Sequence, residues 1–492
     1  MVPLPEPDRE VSVADWSAAG PGWSRLPYLA RFPGRRLPPA WEGGVIGRHA
    51  AVLESGPTGR LTLLLPDARR AWSFDSDGRA RLRLDGGGAD LGRVDALAWL
   101  DRWARDNRAP RLAGWPAFQG GLVAALGYDL AATFEPVHPP PADPALPRAV
   151  FLEADEALVH DRETGDLVAV VLCHADDSPD ALHARARARA QSLARVWDHA
   201  CTAPAPPLAP PGEPVPILAA SLESEEFADA ARAAQDYIAA GDTYQVNLST
   251  RLDLPVPVSG LLAYEAVRAT NPSPYMGYLR LPGAELVCGS PELLVETLGP
   301  RIASRPIAGT RPRTGDEPAD GAFARELAAD SKERAEHLML VDLLRNDIGR
   351  VAAPGTVRVT EFMAIERYSH VMHLVSQVEG RLPEPPPPPA DVVRALFPGG
   401  TVTGAPKVRT LQVIAELEPV ARGFYTGSVG WIAASGDLCL NIVIRTLTLA
   451  GGRCLAQAGA GVVADSVPGR EHEESLRKAL ALRVALGRIP SR

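Results

Sequence analysis

DSKERAEHLMLVDLLRND, residues 330–347, reads as one helix that places Glu333 and Glu336 three positions apart, followed by His337 and an apolar run. Three residues turn a helix through about 300°, so both carboxylates share a face. Like charges there destabilise the helix unless something positive sits between them. REHEESLRKALALR, residues 470–483, repeats the arrangement: Glu471 and Glu474 are three apart, with Lys478 four beyond Glu474. Two helices that each offer a carboxylate pair can meet around one hard cation. All-oxygen ligation suits Mg²⁺, held at about 2.0–2.1 Å and shared with an anionic substrate. Solvated helix-face acids are the plainer reading of each pair.

The segments between these helices set the fold class. RLTLLLP (60–66), LVAVVLC (167–173), TYQVNLSTRL (243–252), ELVCG (285–289), LNIVIRTLTL (440–449) and CLAQAGAGVV (454–463) read as short strands. They alternate irregularly with helices, without the regular beat of a doubly wound sheet. The expectation is α+β, with packed antiparallel sheets surrounded by helices and no internal repeat. TAPAPPLAPPGEPVP (202–216) is a proline-rich spacer that cannot carry a helix. It divides the chain into regions 1–201 and 217–492. ARARARAQSLARVWDHA (184–200) reads as the helix before it. SLESEEFADAARAAQDYIAAG (221–241) reads as the helix after it, with a capping-box start at Ser221 and a stop at Gly241. PEPPPPPA (383–390) reads as a surface loop.

Composition narrows the function classes. The 492 residues carry a net charge of -9 and are 46% hydrophobic, with no basic stripe for nucleic acid. No apolar run approaches the length of about 20 that a membrane helix needs. The polar, acidic start MVPLPEPDREVSVADW is unlike a signal peptide. Five cysteines without CxxC pairing point to a reducing compartment and a soluble cytoplasmic protein.

Other motifs divide the same way. GAGVVA (459–464) fits GxGxxA, but DSVPG follows where the dinucleotide fingerprint requires a helix. GTVTGAPK (400–407) lacks the ending of a phosphate loop. His373 stands in an apolar stretch, where a hydrogen-bonded core histidine is the simple reading. Arg445, among Ile and Val, needs an anionic partner: a structural carboxylate or a substrate's.

RPIAGTRPR (305–313), the two acidic helices, ERYSHVMHLVSQVEG (366–380), PGGTVTGAPKVRTLQVIAELEP (398–419), GSVGW (427–431) and AGAGVVADS (458–466) together resemble the chorismate-utilising enzymes. These are the anthranilate synthase component I and aminodeoxychorismate synthase component I family. VLESG (52–56) and FQGGLVAALGYDL (118–130) are similar to the N-terminal region of the same enzymes. The resemblance implies the anthranilate synthase component I-like fold, with Mg²⁺ and chorismate bound between its sheets. It assigns Glu333, Glu336, Glu471 and Glu474 to the metal, and Arg445, Gly461 and Lys478 to a substrate carboxylate. Gly309, Thr310, Thr401 and Tyr425 become pocket residues, with His373, Thr401 and Lys478 catalytic.

Gln245 stands where water-adding members of the family carry a lysine base. A glutamine amide cannot take a proton, so ammonia is the expected nucleophile, supplied by a separate glutamine amidotransferase subunit. YQVNLS, PGGTVTGAPK and GDLCLNIVIRTL resemble the aminodeoxychorismate branch, which serves 4-aminobenzoate and folate synthesis. The alternative is anthranilate synthase, in tryptophan synthesis. Ala308 favours it by replacing a lysine that forms a covalent adduct in many aminodeoxychorismate synthases. So do Leu53, Glu54 and Ser55 with Asn271, Pro272, Ser273, Pro274, Tyr275 and Met276, which match a tryptophan pocket. Isochorismate or salicylate synthesis, and a non-catalytic chorismate or tryptophan sensor, are further alternatives. Cys439 departs from the aspartate common in the family.

Overall fold

GLVAAL (121–126) and AVFLEA (149–154) are apolar almost throughout instead of alternating, a pattern strands adopt when both faces are covered. In the computed structural model Val123, Ala125, Val150 and Leu152 face one hydrophobic core. Leu122, Ala124, Leu126 and Phe151, their alternate neighbours, face a second. The structure describes residues 4–490 except 42–43, 57–58, 85, 176–177 and 368–370. Tyr368–His370 of the motif at 366–380 therefore lie outside the described residues.

Among the described residues the strands form a 13-stranded and a 12-stranded sheet. Their antiparallel ladders and flanking helices bear out the α+β expectation. Helices Pro179–Ala200 and Pro468–Gly487 pack on the first sheet, and Ser331–Gly349 packs on the second. None of the described helices is long and apolar enough to cross a membrane.

The spacer at 202–216 has no regular structure and runs beside the last helix. There Ala209 N–H donates to Arg488 O at 2.8 Å and Val215 N–H to Arg483 O at 3.2 Å. The two regions it joins share both sheets in space. Ala50–Glu54 pairs with Tyr275–Leu281, and Gly121–Leu126 with Ser428–Ala433. The helix after the spacer is Ser224–Ala239, and its capping box is made by Glu223 with Glu226 rather than by Ser221. Ser221 is drawn away because its hydroxyl accepts from the Arg251 N–H at 2.9 Å. Gly241, at φ 82°, ends the helix as expected. Within the proline run only 383–388 is loop; helix Pro389–Leu396 starts inside it, with proline in the first turn where no N–H is missed.

The structure also shows a repeat that the sequence conceals. Leu61–Leu65 and Glu156–Asp161 are neighbours in the first sheet. They connect directly to Arg70–Phe74 and Ala149–Ala154, neighbours in the second. Ala284–Ser290 and Thr446–Ala450 do the same, connecting to Leu293–Leu298 and Leu438–Asn441. Each half of the sandwich thus has a pair of crossings where the chain changes sheets. The expectation of no repeat is corrected here, because the likeness lies in strand order and not in residue identity.

A buried network ties the segment before Ser428–Ala433 to strand Gln245–Leu254. Arg422 donates to Glu418 at 2.7 Å, to Asn247 O at 2.6 Å and to Val402 O at 3.0 Å. Glu418 also accepts from Ser249 N–H at 2.9 Å. Arg422→Met is expected to lower unfolding free energy by about 3–5 kcal/mol, since Glu418 would keep a buried, unpaired charge. Urea unfolding followed by circular dichroism measures it.

Candidate active site

The second pair of crossings brings together two groups of opposite charge. Glu292 lies between Ala284–Ser290 and Leu293–Leu298, and Arg445 between Leu438–Asn441 and Thr446–Ala450. Ser290 Oγ donates to Ile442 O at 2.5 Å and Ile442 N–H to Glu292 O at 3.0 Å, so the two crossings are bonded side by side. Arg445 has φ 49°, a left-handed conformation that a non-glycine residue rarely adopts. Its carbonyl accepts from Gly289 N–H at 3.0 Å, which pins that conformation.

Glu292 is the residue the sequence reading missed. It is 5% exposed, and burial pushes its carboxyl up to about 7. The nearby Thr401 hydroxyl, the Ile307 N–H and the charges of Arg445 and Lys478 pull the other way. Glu292 Oε1 and Thr401 Oγ1 are nonetheless both buried without a hydrogen bond of full geometry. Buried polar atoms are normally hydrogen-bonded, and two orphans side by side in one pocket call for a partner from outside the chain. A carboxyl poised near neutrality beside an arginine is equipped to donate a proton to an anionic substrate.

The loop carrying Thr401 is wedged over the crossings. A Cβ on Gly399 would meet Ile442 Cδ1 at 2.7 Å, and one on Gly400 would meet Leu343 Cδ2 at 2.1 Å. The loop therefore touches both the crossings and helix Ser331–Gly349. Thr426 N–H donates to Val443 O at 2.7 Å, which sets Tyr425 beside the Arg445 crossing. The ring of Tyr425 lies under the Arg422 guanidinium at 5.6 Å.

His373 is buried at the strand beside this group. Its Nδ1 lies 3.1 Å from Gly309 O and 3.0 Å from Thr310 Oγ1, contacts that suit an Nδ1–H tautomer. Burial first, and the Arg445 charge, lower it to about 4, so it is neutral at physiological pH. Gly309, at φ 63°, forms an irregularity in the ladder between Ala308 and Thr310. A Cβ there would fall 2.9 Å from Glu333 Oε2.

The positive partner that the opening helix calls for is Arg311, which donates to Glu333 at 3.4 Å and to Asp330 at 2.9 Å. Burial, then the charge of Glu336, still holds Glu333 above its ordinary range. Glu336 Oε1 accepts from Gln245 Nε2 at 2.9 Å. On the other helix Lys478 Nζ donates to Glu474 at 2.9 Å and to Gly459 O at 3.0 Å, while Glu471 is buried. The four acids thus stand as two pairs. Among the described residues no three His, Cys, Asp or Glu side chains gather closely enough to hold an ion. Like charges keep apart, and Glu333, Glu336 and Glu474 each have their own partner. The half-buried Glu333/Glu336 pair, all oxygen donors with one arginine for compensation, nevertheless fits a hard divalent cation.

Gly461 lies where a Cβ would fall 2.3 Å from Gln245 Nε2. Glycine there gives the amide room to reach Glu336. Gly461→Ala is expected to leave thermal unfolding little changed, because a flexible side-chain end can move. Turnover should fall roughly tenfold, the worth of one displaced hydrogen bond to a charged group. Steady-state kinetics beside a melting curve measures both.

The residues matched to a tryptophan pocket are partly gathered elsewhere. Glu54, Pro272 and Met276 line a cavity of 430 Å³ with Glu265 and Arg268. Within it Glu54 accepts from Tyr264 Oη at 2.5 Å and pairs with Arg268 at 3.0 Å. Leu53 packs against the core beside it, and Ser55 is turned to Leu61, its hydroxyl donating to that carbonyl at 2.7 Å. Asn271, Ser273, Pro274 and Tyr275 do not line this cavity. Ser273 Oγ instead donates to Asn271 O at 3.1 Å, while Tyr275 begins a strand.

Comparison with known proteins gives the family and the fold. The chain matches the family described as chorismate binding enzyme over residues 62–483. It is 41% identical over 440 residues to aminodeoxychorismate synthase component 1 of Bacillus subtilis, covering 89% of this chain and 92% of that one. It is 45% identical over 409 residues to anthranilate synthase component 1 of Streptomyces coelicolor, covering 80% and 78%. Anthranilate synthase component I from Streptococcus pneumoniae has the same fold, at a TM-score of 0.72 and 30% identity over 87% of this chain and 92% of that one.

Proposed function

The chain belongs to the chorismate-binding enzyme family, and on that premise we propose that it aminates chorismate with ammonia, giving 4-amino-4-deoxychorismate. The observation that carries the reading is Gln245, whose amide reaches Glu336 where a water-activating base would be needed for isochorismate synthesis. Its Oε1 is buried without a hydrogen-bond partner and suits an incoming N–H donor. The coverage of the Bacillus subtilis aminodeoxychorismate synthase supports this branch.

Arg445 supplies the charge that holds a substrate carboxylate, and Lys478 adds to the positive field in a chain of net charge -9. Glu292, protonated, gives its proton to the departing C4 hydroxyl, a poor leaving group without an acid. Neutral His373 and Thr401 orient the ring and keep water from it. The Glu333/Glu336 pair would hold Mg²⁺, which when bound anchors a carboxylate and acts as a Lewis acid, and the Glu471/Glu474 pair on the other helix is the further set of oxygen donors that the family resemblance assigns to it.

Ammonia has to come from outside the chain. Burial raises all five cysteine thiols, Cys173 to about 11 and Cys454 to about 12, so none is an activated nucleophile for glutamine. A glutamine amidotransferase subunit is the partner this implies.

Ala308 supports anthranilate synthase as the second reading, because a methyl group cannot form an adduct. Chromatography of the product made from chorismate and ammonium at alkaline pH decides between the two. 4-Amino-4-deoxychorismate is expected; anthranilate with pyruvate would replace the first reading by the second. Strong inhibition by tryptophan, through the cavity at Glu54, would point the same way.

A further inference from the structure

The first pair of crossings repeats the geometry that builds the active site, and it has a cavity of its own. This space, 560 Å³, lies against the crossings and under helix Pro179–Ala200. Arg69 and Arg70 reach it from one crossing, Glu153 and Asp155 from the other, and Arg185 and Arg189 from the helix. We propose that this cavity is a second ligand site, taking a small, multiply charged anion that bears carboxylate or phosphate groups. The proposal does not depend on which reaction the other site performs.

The charges favour an anion. Asp155 is taken from behind by Arg25, and Asp67 accepts from the His49 N–H at 3.1 Å. Glu156 accepts from Arg69 at 2.9 Å and from Arg189 at 2.6 Å. Glu153 is 5% exposed and faces Arg70 at 3.4 Å. Burial, then the charge of Asp155, pushes Glu153 up to about 7, so near neutrality it only partly cancels the arginine. A guanidinium has five N–H donors in a planar fork, and one carboxylate occupies at most two. Several forks therefore keep donors for a planar carboxylate or a phosphate. Val171 and Leu182 give the space an apolar wall, and its volume is within the range of about 300–1,000 Å³ usual for small-molecule sites. At the catalytic crossings one buried glutamate feels the charge of one arginine; here two arginines come from a crossing and two more from the helix above it.

Isothermal titration of the full chain with inorganic phosphate, and separately with succinate, tests the assignment. At least one probe should bind at a single saturable site. Arg185→Gln/Arg189→Gln, at exposed helix positions, should weaken that binding by about tenfold or more. Arg445→Met should leave it unchanged. Glu153→Gln, uncharged and of the same shape, should keep or tighten it. Unaltered melting and chorismate turnover in the double variant would show that its fold is intact. Preference for phosphate would identify a phosphorylated metabolite, and preference for succinate a polycarboxylate. The proposal is overturned if neither probe saturates, or if binding survives the double variant. Binding lost only in Arg445→Met would also overturn it, by placing the anion in the catalytic site.

Discussion

Glu292→Gln is expected to lower kcat by about 10²–10⁴-fold, the usual contribution of a positioned general acid, while the melting temperature changes little. Glutamine has the shape of the protonated acid and can keep the contacts to Thr401 and Ile307, but it has no proton to give. Burial holds the Glu292 carboxyl up to about 7, so its protonated fraction is lost as pH rises through that value. With free ammonia held constant, kcat/KM of the wild type should therefore fall across neutrality towards alkaline pH. In the glutamine variant that limb should disappear. Wild-type kcat in the variant, or an unchanged pH profile, would remove Glu292 from the chemistry.

Glu336→Gln should take turnover to background and leave the protein folded. The substitution removes one of two adjacent like charges, which is worth a few tenths of a kcal/mol to the helix, so stability should hold or rise slightly. Glu333 should move back towards its ordinary range once the neighbouring charge is gone. Titration with Mg²⁺ followed by calorimetry gives a readout apart from activity: the wild type should bind the ion and the variant should bind it far more weakly. Equal Mg²⁺ affinity in both proteins would show that this acid pair is a surface feature and that the metal assignment is wrong.

Much of this site was legible because its signals are local. A three-residue spacing puts Glu333 beside Glu336 on any helix, and the run of motifs from Arg305 to Ser466 tied the chain to its family before any contact was known. Gln245 was singled out by residue type, and the structure adds that its amide is bonded to Glu336 and housed by Gly461. Glu292 had no comparable signal. In SPELLVE it looks like any acid next to a proline, and nothing nearby in the chain shows that it is buried. A strained Arg445 was equally hidden, since its left-handed backbone comes from the change of sheet and not from its neighbours in sequence.

By itself the sequence determined the class of the fold, the spacer, the helices with their acid pairs and the family, all of which follow from periodicity and short motifs. Only the tertiary structure decided that the crossings of Glu292 and Arg445 lie side by side, that the four acids stand as two pairs, and that the sandwich repeats its crossings with a second charged cavity. The reason is physical. Helix and strand periods arise between residues a few positions apart, whereas burial at a crossing is set by strands roughly 150 positions apart that pair in register, as Ala284–Ser290 and Thr446–Ala450 do.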